Sequence, residues 1–283
     1  MSGKLFLCAT PIGNLQDMTP RVIETLQTVD IIAAEDTRNS MKLMNHFEIR
    51  TPMTSYHEYN KVEKAKYLIE QLQDGKNIAL ITDAGTPAIS DPGEVLVAMC
   101  HEAGITVTSL PGPAACITAL TLSGLSTRRF CFEGFLPADK KEKKAILEDL
   151  QKESRTIILY EAPHHLIRTL EELYQTLGNR RITLCRELTK KFETVLPTTL
   201  EGALEMYKSE EPRGEYVLVL EGKSLKEFQK EQEADWQATS IEEHMAIYET
   251  QGIDHKEAMK LVAKDRGIPK REVYQYLLKT VDK

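Results

Sequence analysis

One stretch of the chain decides the fold, namely Asp83-Ala-Gly-Thr-Pro-Ala-Ile-Ser-Asp-Pro-Gly93, which directly follows the apolar residues 78–82. The apolar run is typical of a buried strand, and the stretch after it is rich in glycine and proline. Glycine lets a backbone approach a ligand closely, and proline fixes φ, so such a loop is a rigid turn that exposes N–H and C=O groups. We therefore expect a strand that ends in a ligand-binding loop.

The same succession of strand and loop recurs along the first half of the chain. Strand candidates at 5–9, 31–34 and 105–110 run into Thr10-Pro-Ile-Gly-Asn14, Glu35-Asp-Thr-Arg38 and Pro111-Gly-Pro-Ala-Ala115. Helix-period segments lie between these runs, which predicts an α/β fold with a largely parallel sheet. Ligands bind such sheets at the carboxyl ends of the strands. Three Gly/Pro-rich loops at that edge favour a site for a nucleoside-like ligand over simple turns.

The patterning divides the chain into three domains and a linker. Residues 1–125 are the predicted N-terminal α/β domain, and residues 126–223 are a second α/β domain with strand candidates at 130–135, 156–160, 182–185 and 216–220. Residues 224–235 are rich in Lys, Glu and Gln and are interpreted as a linker. Residues 236–283 have no strand pattern and are predicted to form a small all-helical domain.

The composition excludes several classes of protein. Of the 283 residues, 41% are hydrophobic and 28% are charged, which rules out a disordered chain or a coiled-coil rod. No apolar run approaches the roughly 20 residues that cross a bilayer, and no signal peptide is recognisable, so we expect a cytoplasmic protein without a membrane partner. The five cysteines are scattered without a C-x-x-C pair and are interpreted as buried reduced thiols.

Motifs of several common chemistries are missing from the sequence. It contains no G-x-x-x-x-G-K-[ST] loop, no G-x-G-x-x-G after the first strand, no G-x-S-x-G elbow and no H-E-x-x-H pair. Phosphate chemistry on a P-loop, an ordinary dinucleotide fold and hydrolysis by serine or zinc therefore lack their usual support. We expect no metal site.

Eight segments taken together resemble a known family. They are Thr10-Pro-Ile-Gly-Asn14, Ala34-Glu-Asp-Thr-Arg38, residues 83–93, Pro111-Gly-Pro-Ala-Ala115, Phe132-Glu-Gly-Phe-Leu-Pro137, Glu161-Ala-Pro-His164, Cys185-Arg-Glu-Leu-Thr-Lys190 and Gly214-Glu-Tyr-Val-Leu-Val219. The set resembles the tetrapyrrole (corrin/porphyrin) methylase superfamily, and within it the methylases of small-subunit ribosomal RNA. The resemblance implies two α/β domains of the tetrapyrrole methylase type with the cofactor cleft between them, followed by the helical domain, in a homodimer.

The same resemblance implies a reaction and a cofactor site. The cofactor would be S-adenosyl-L-methionine, and the acceptor would be the 2′-hydroxyl of a cytidine, expected to be cytidine 1402, in the decoding region of 16S rRNA in the small ribosomal subunit. The residues implied to bind the cofactor come from the strand-end loops. They are Pro11, Ile12, Gly13, Asp83, Gly85, Thr86, Pro87, Ile89, Ser90, Ala114, Ala115, Tyr160, Glu161, Ala162 and Pro163.

A ribose hydroxyl is a very weak acid, so its methylation is helped by a base or by a cation that stabilises the alkoxide. Two mixed clusters at strand ends supply both kinds of group and are the catalytic candidates: Glu35, Asp36 and Arg38, and Arg186, Glu187 and Lys190. Ion pairs that only hold strand to helix are the alternative for each cluster. His57 and His164 are further candidate bases, with structural hydrogen bonding as their alternative.

The C-terminal domain has a helix-turn-helix pattern, with Ala263, Gly267 and Val273 at its small, turn and apolar positions. Although the net charge of the chain is −7, its last stretch is basic, and Lys264, Arg266, Lys270 and Arg271 are candidates for contacts to rRNA phosphates. A solvated three-helix cap is the alternative. Two other hypotheses remain for the whole chain. One is a methylase of corrinoids or porphyrins, and the other is a helix-turn-helix regulator that senses a nucleoside-like ligand.

Overall fold

The computed structural model describes residues 2–224, 227–228, 236 and 239–281. The chain separates into two compact units, one made of Met1–Gln151 with Arg155–Glu221 and the other of Lys152–Ser154 with Gly222–Lys283. Most of the linker predicted at 224–235 lies outside the described residues. The domain boundaries predicted at residues 125 and 223 also stay predictions.

The first unit alternates strands and helices. In chain order they are β1 (Lys4–Cys8), α1 (Pro20–Thr28), β2 (Ile31–Ala34), α2 (Thr37–His46), β3 (Met53–Ser55), α3 (Lys61–Gln73), β4 (Ile78–Ile81), α4 (Gly93–Glu102), β5 (Thr106–Leu110), α5 (Ala115–Leu122), β6 (Phe130–Phe135), α6 (Lys140–Lys152), β7 (Thr156–Glu161), α7 (Leu166–Leu177), β8 (Arg181–Arg186), β9 (Thr194–Thr199), α8 (Leu200–Met206) and β10 (Tyr216–Leu220).

The first sheet has the order β3-β2-β4-β1-β5, and all of its strand pairs are parallel, as the sequence predicted. Successive residues of a strand point to opposite faces, so β2 contributes to two cores. Ile32 and Ala34 pack with Leu26 of α1, whereas Ala33 packs with Leu68 of α3. Helices therefore cover both faces, and the loops that follow the strands meet at one edge.

The second sheet corrects the expectation of a largely parallel arrangement. Its order is β6-β7-β10-β8-β9, and only β6 and β7 are parallel. Residues 187–193, between β8 and β9, are too few for the crossover that a parallel pair requires. Strands β3 and β9 were not predicted, because β3 has three residues and β9 contains Pro197. A proline is tolerated there since β9 lies at the edge of the sheet.

Helix α5 connects the two sheets. It follows β5 of the first sheet, yet its buried residues Cys116, Ala119 and Leu120 pack against the second sheet in one cluster with Ile158 and Val219. The Thr183 hydroxyl of β8 also donates to the carbonyl of Ser123, just after this helix. This packing explains why both sheets fall within one compact unit.

Three helices of the second unit have bounds among the described residues, and we number them α9 (Ile241–Thr250), α10 (His255–Asp265) and α11 (Lys270–Val281). Ser240 and Glu243 form a reciprocal capping box at the start of α9. Gly267, at φ 63°, turns the chain between α10 and α11, and Ala263 and Val273 are buried, as the helix-turn-helix pattern predicted. Among all described residues, none of the helices combines the length and apolarity needed to cross a membrane.

Candidate active site

A cavity of about 370 Å³ opens between the two sheets of the first unit. Its walls come from the strand-end loops of the first sheet and from one end of the second sheet. Most of the residues selected from the sequence line it. The lining includes Ile12, Glu35, Asp83, Gly85, Thr86, Ile89, Ser90, Ala114, Ala115, Tyr160, Glu161, Ala162, Glu187 and Lys190.

Seven selected residues are absent from that lining: Pro11, Gly13, Asp36, Arg38, Pro87, Pro163 and Arg186. The candidate bases His57 and His164 are also absent from it. Conversely, sequence reasoning missed Glu215, Tyr216 and Val217 at the start of β10, and Phe135 at the end of β6. Strand β10 runs antiparallel to its neighbours β7 and β8, so its amino end faces the cavity, and the rule that ligands bind at carboxyl ends of strands does not select it.

The loop after β4 is held by the carboxylate of Asp91. Its Oδ1 accepts from the backbone N–H groups of Ala88 (3.0 Å) and Gly93 (2.8 Å), and its Oδ2 accepts from that of Ile89 (3.3 Å). Ala88 and Ser90 have φ of 67° and 64°, a left-handed conformation that is costly for residues with a Cβ. The Asp91 carboxylate therefore fixes a strained backbone on the cavity wall.

This loop is also joined to its neighbours in the first sheet. Thr10 and Gly85 exchange two backbone hydrogen bonds of 2.9 and 3.0 Å. The Thr86 hydroxyl donates to the carbonyl of Pro113 (2.9 Å), and the Thr10 hydroxyl donates to that of Thr82 (3.1 Å). Three Gly/Pro-rich loops thus form one rigid wall.

Two further carboxylates lie on this wall. Glu35 Oε2 accepts from the Thr82 hydroxyl (2.8 Å), while Asp83 accepts from the backbone N–H of Asp36 (3.2 Å) and the side-chain amide of Asn39 (3.4 Å). Burial, reinforced by the nearby charge of Glu35, raises the pKa of Asp83 despite these hydrogen bonds. Negative charge is therefore concentrated at this end of the cavity.

Asp36 and Arg38 contact each other at the start of α2. Asp36 is the N-cap of α2 and accepts from the backbone N–H of Arg38 at 2.8 Å. Its carboxylate also pairs with the Arg38 guanidinium at 3.2 Å, and the Arg38 side chain is 90% exposed. Hydrogen bonds from Arg38 lower the pKa of Asp36.

The opposite wall has a cation held by two carboxylates. Lys190 Nζ lies 2.9 Å from Glu187 Oε1 and 2.8 Å from Glu215 Oε2. Burial alone would lower the pKa of Lys190, but the hydrogen bonds to Glu215 and Glu187 raise it overall. The ammonium group therefore stays charged at neutral pH and cannot serve as a base.

Gly13 makes room for the side chain of Lys190, which packs directly against it. A Cβ on Gly13 would lie 2.3 Å from Lys190 Cγ, so a side chain at position 13 would displace the lysine stem. Gly13 does not line the cavity itself, but the absence of a side chain there leaves space for Lys190, which does.

We expect Gly13→Ala to destabilise the protein by about 1–3 kcal/mol, the usual cost of overpacking, and to separate Lys190 from its carboxylates. Thermal unfolding measures this loss. The matched control is Gly104→Ala, at φ 66° with no heavy atom within 4 Å of the added Cβ, where backbone strain alone acts. Equal losses from both variants would contradict the close contact between Gly13 and Lys190.

Among the described residues, Tyr160 and Glu161 are held by local hydrogen bonds, whereas Arg186 Nε is not. The Tyr160 hydroxyl accepts from the backbone N–H of Cys116 (3.2 Å), and burial raises the pKa of Tyr160. The buried Glu161 carboxylate accepts from the Ala162 N–H and the Thr169 hydroxyl. Arg186 Nε is buried and has no hydrogen-bond partner among the described residues.

No group of three or more His, Cys, Asp or Glu side chains within the described part of the chain is arranged to hold a metal ion. Of the five cysteines, Cys131 is partly exposed and the other four are buried.

In the second unit, Arg266 differs from the other basic candidates. Its Nη2 donates to the carbonyls of Thr239 (2.6 Å) and Ser240 (2.8 Å), and its Nε donates to His244 Nδ1 (3.2 Å). This guanidinium therefore stabilises the start of α9. Lys264 and Arg271 are exposed, and Lys270 Nζ donates to the Lys256 carbonyl.

His244 is fully buried and stacks on Trp236, with 3.6 Å between ring centroids. Because Arg266 Nε donates to its Nδ1, the ring proton lies on Nε2, 3.3 Å from Asp265 Oδ2. Burial, followed by the charge of Arg266, lowers the pKa of His244, so the ring is neutral at pH 7.

A lowered pKa of His244 makes the second unit sensitive to acid. Its stabilising effect is complete above the unfolded pKa of about 6.5 and is lost as the pH falls below that value, since the unfolded chain then binds more protons. We expect the unfolding midpoint, followed by fluorescence of the single tryptophan, to fall further from pH 7.5 to 5.5 in the wild type than in His244→Gln. Equal pH responses of the wild type and His244→Gln would contradict this account.

Comparison with known proteins first defines the class. The family model described as Tetrapyrrole (Corrin/Porphyrin) Methylases matches residues 4–204, which include most of both sheets and the loops of the cavity. Two solved structures share the fold: a Thermus thermophilus uroporphyrin-III-C-methyltransferase (TM-score 0.55, 17% identity, 77% of this chain and 94% of that one) and a diphthine synthase (TM-score 0.60, 15% identity, 79% and 91%). The protein is therefore a methyltransferase with this fold.

Closer relatives match the chain over nearly its full length. Proteins named ribosomal RNA small subunit methyltransferase I are 48% identical in Halalkalibacterium halodurans (96% of this chain, 93% of the relative), 48% in Bacillus subtilis (96% and 93%) and 44% in Escherichia coli O157:H7 (98% and 95%). The chain belongs to this family of tetrapyrrole methylases.

Proposed function

We propose that the protein transfers a methyl group from S-adenosyl-L-methionine to the 2′-hydroxyl of a cytidine, expected to be cytidine 1402, in the 16S rRNA of the small ribosomal subunit. The observation that carries this proposal is the full-length similarity, at 44–48% identity, to relatives whose name states small-subunit rRNA as the substrate. The choice of a cytidine, and of its 2′-hydroxyl, as the acceptor rests on the resemblance of the eight sequence segments to the methylases of small-subunit ribosomal RNA.

The residues of the cavity suit the proposed cofactor. S-adenosyl-L-methionine carries a sulfonium cation, an amino-acid group and an adenosine, so its site needs negative charge, backbone polar groups and an apolar wall. Among the described lining residues, one is basic, Lys190, and six are acidic: Glu35, Asp83, Asp91, Glu161, Glu187 and Glu215. Ile12, Ala114, Ala115, Leu188 and Val217 supply the apolar surface. The volume of about 370 Å³ lies within the usual range for ligand pockets.

The proposed division of roles follows from these contacts. When bound, S-adenosyl-L-methionine supplies an electrophilic methyl group. The protein must hold the ribose oxygen in line with it, and alignment of this kind lowers a barrier by several kcal/mol. We assign proton uptake to Glu35, which lines the cavity and is oriented by the Thr82 hydroxyl. Lys190, which stays charged, stabilises negative charge on the ribose oxygen.

The remaining elements of the proposal concern the partners. We infer that the exposed Lys264 and Arg271, together with Lys270, contact rRNA phosphates. Arg266 is less suited to this role because its guanidinium is bonded within the second unit. A cytoplasmic homodimer is inferred from the family resemblance, and light scattering of the purified protein tests the dimer.

The phosphate contacts predict a salt effect. We expect the double variant Lys264→Ala/Arg271→Ala to bind small subunits about tenfold more weakly, and the slope of log K against log salt to become shallower by roughly 1.5, since two counterion-releasing contacts are lost. Filter binding at several salt concentrations measures both quantities. The control Lys144→Ala/Lys208→Ala removes two exposed lysines from the first unit. If the control and the test variant behaved alike, the proposed phosphate contact would be wrong.

The proposed function is tested in separate reactions, each containing the protein, radiolabelled S-adenosyl-L-methionine and one acceptor. The acceptors are small ribosomal subunits, free 16S rRNA and a uroporphyrin. We expect label in the RNA. Label in the porphyrin without label in RNA would replace the proposal with small-molecule methylation. Failure of every acceptor would contradict the proposed function.

A further inference from the structure

Phe135 is the most exposed aromatic residue among those that line the cavity. The residue is 58% exposed, although it lies at the end of a strand where an apolar ring would normally be packed. The roles given above to carboxylates, Lys190 and the apolar wall do not use it. An aromatic surface left open at a polar site points to contact with a flat ligand.

The backbone of β6 is built to place this ring. The pairing with β7 shifts register between Phe132, opposite Ile158, and Gly134, opposite Leu159, so Glu133 is an extra residue in a β-bulge. A bulge redirects the side chains that follow it and is frequent beside active sites. Gly134 has φ 64°, the left-handed region that favours glycine. The distortion brings Phe135 to the cavity.

The Phe135 ring also packs against a neighbouring aromatic side chain. Its centroid lies 5.5 Å from that of Tyr160 in an edge-to-face arrangement, and Tyr160 packs in the same way on Phe132 at 4.9 Å. The Tyr160 hydroxyl is fixed by the Cys116 backbone N–H. Phe135 is therefore held in place on one side and open on the other.

The facing loop of the first sheet completes an apolar rim. Ile89 lines the cavity and is 45% exposed. Its neighbour Ser90 contacts the strand that carries Phe135, because a Cβ on Gly134 would lie 3.0 Å from Ser90 Oγ. Phe135 and Ile89 are thus two exposed apolar side chains in the lining of the same cavity.

We propose that Phe135 is a substrate-positioning residue on which a nucleobase of the RNA stacks at the cavity, with Ile89 beside it. This inference rests on the proposed function. A ribose hydroxyl reaches a methyl donor inside a cavity only if its nucleotide leaves the helical stack, and an unstacked base is typically received by an aromatic ring. In this proposal the ribose of the stacked nucleotide enters the cavity that Glu35 also lines.

The test compares Phe135→Leu, Phe135→Trp and wild type in methyl transfer to small ribosomal subunits. Leucine keeps apolar volume but offers no flat face, so we expect KM for the subunits to rise about tenfold, whereas tryptophan should keep it within about twofold. The Kd of S-adenosyl-L-methionine, measured by calorimetry on the protein alone, should not change. The matched control is Phe130→Leu, the same substitution at the opposite end of β6, which is expected to leave KM unaltered.

Three outcomes would overturn the inference. If Phe135→Leu kept the wild-type KM, the ring would not contact the RNA. If it weakened S-adenosyl-L-methionine binding instead, the ring would belong to the cofactor site. If the wild type itself transferred no methyl group to small subunits, the proposed function would fail together with this inference. In the first two outcomes the wild type is active, so only the inference fails.

Discussion

Glu35→Gln is expected to lower kcat for methyl transfer by about 100-fold or more, in the range that removal of a general base usually produces. The glutamine keeps the hydrogen-bonding partner of the Thr82 hydroxyl and the volume of the side chain, but it cannot accept the ribose proton. The Kd of S-adenosyl-L-methionine should therefore stay within about threefold of the wild-type value. Single-turnover kinetics with saturating cofactor measures the chemical step directly.

The control for this experiment is the adjacent carboxylate. Asp36→Asn retains a good N-cap for α2 and removes an exposed ion pair with Arg38, so kcat should change less than threefold. A large loss in Asp36→Asn together with full activity in Glu35→Gln would move the catalytic role to Asp36.

Asp91→Ala is expected to weaken S-adenosyl-L-methionine binding by about 100-fold. The substitution removes three backbone hydrogen bonds to a charged acceptor and frees Ala88 and Ser90 from their left-handed conformations. The loop that forms the cavity wall would then relax away from its binding shape. Asp91→Asn should have a smaller effect, because Oδ1 can still accept from Ala88 and Gly93. Calorimetric titration measures both Kd values.

A capping aspartate that does not line the cavity separates loop shape from general stability. Asp139 Oδ1 accepts from the backbone N–H groups of Lys141 and Glu142 at the start of α6. Asp139→Ala should cost about 1 kcal/mol of folding stability without changing the Kd. If it weakened cofactor binding as much as Asp91→Ala, the effect would be one of overall stability.

Much of the first sheet and its loops could be predicted, because local patterns determine them. The run at 78–82 followed by Gly- and Pro-rich residues predicted both strand and loop, and a parallel sheet brings all such loops to one edge. The second sheet was predicted less well. The amino end of β10 faces the cavity only because three of the four strand pairs are antiparallel, and pairing direction is a tertiary property that residues 216–220 do not encode locally.

Side-chain roles within a correctly chosen segment were equally hard to predict. Glu35 and Asp36 are neighbours of similar chemistry, yet Glu35 lines the cavity while Asp36 caps α2, a difference that the start of the helix decides. Arg266 belongs to a basic stretch in sequence but is bonded to carbonyls 26 and 27 residues away. Neither assignment follows from composition or spacing.

The most direct measurement is the chemical identity of the methylated nucleoside. Small ribosomal subunits would be treated with the protein and S-adenosyl-L-methionine carrying a heavy methyl group, and the rRNA would be digested to nucleosides for mass spectrometry. We predict that the heavy methyl group appears in 2′-O-methylcytidine with the wild type and is nearly absent with Glu35→Gln. Heavy methyl groups found on a base, or on no nucleoside at all, would contradict the assignment of the cavity to ribose methylation.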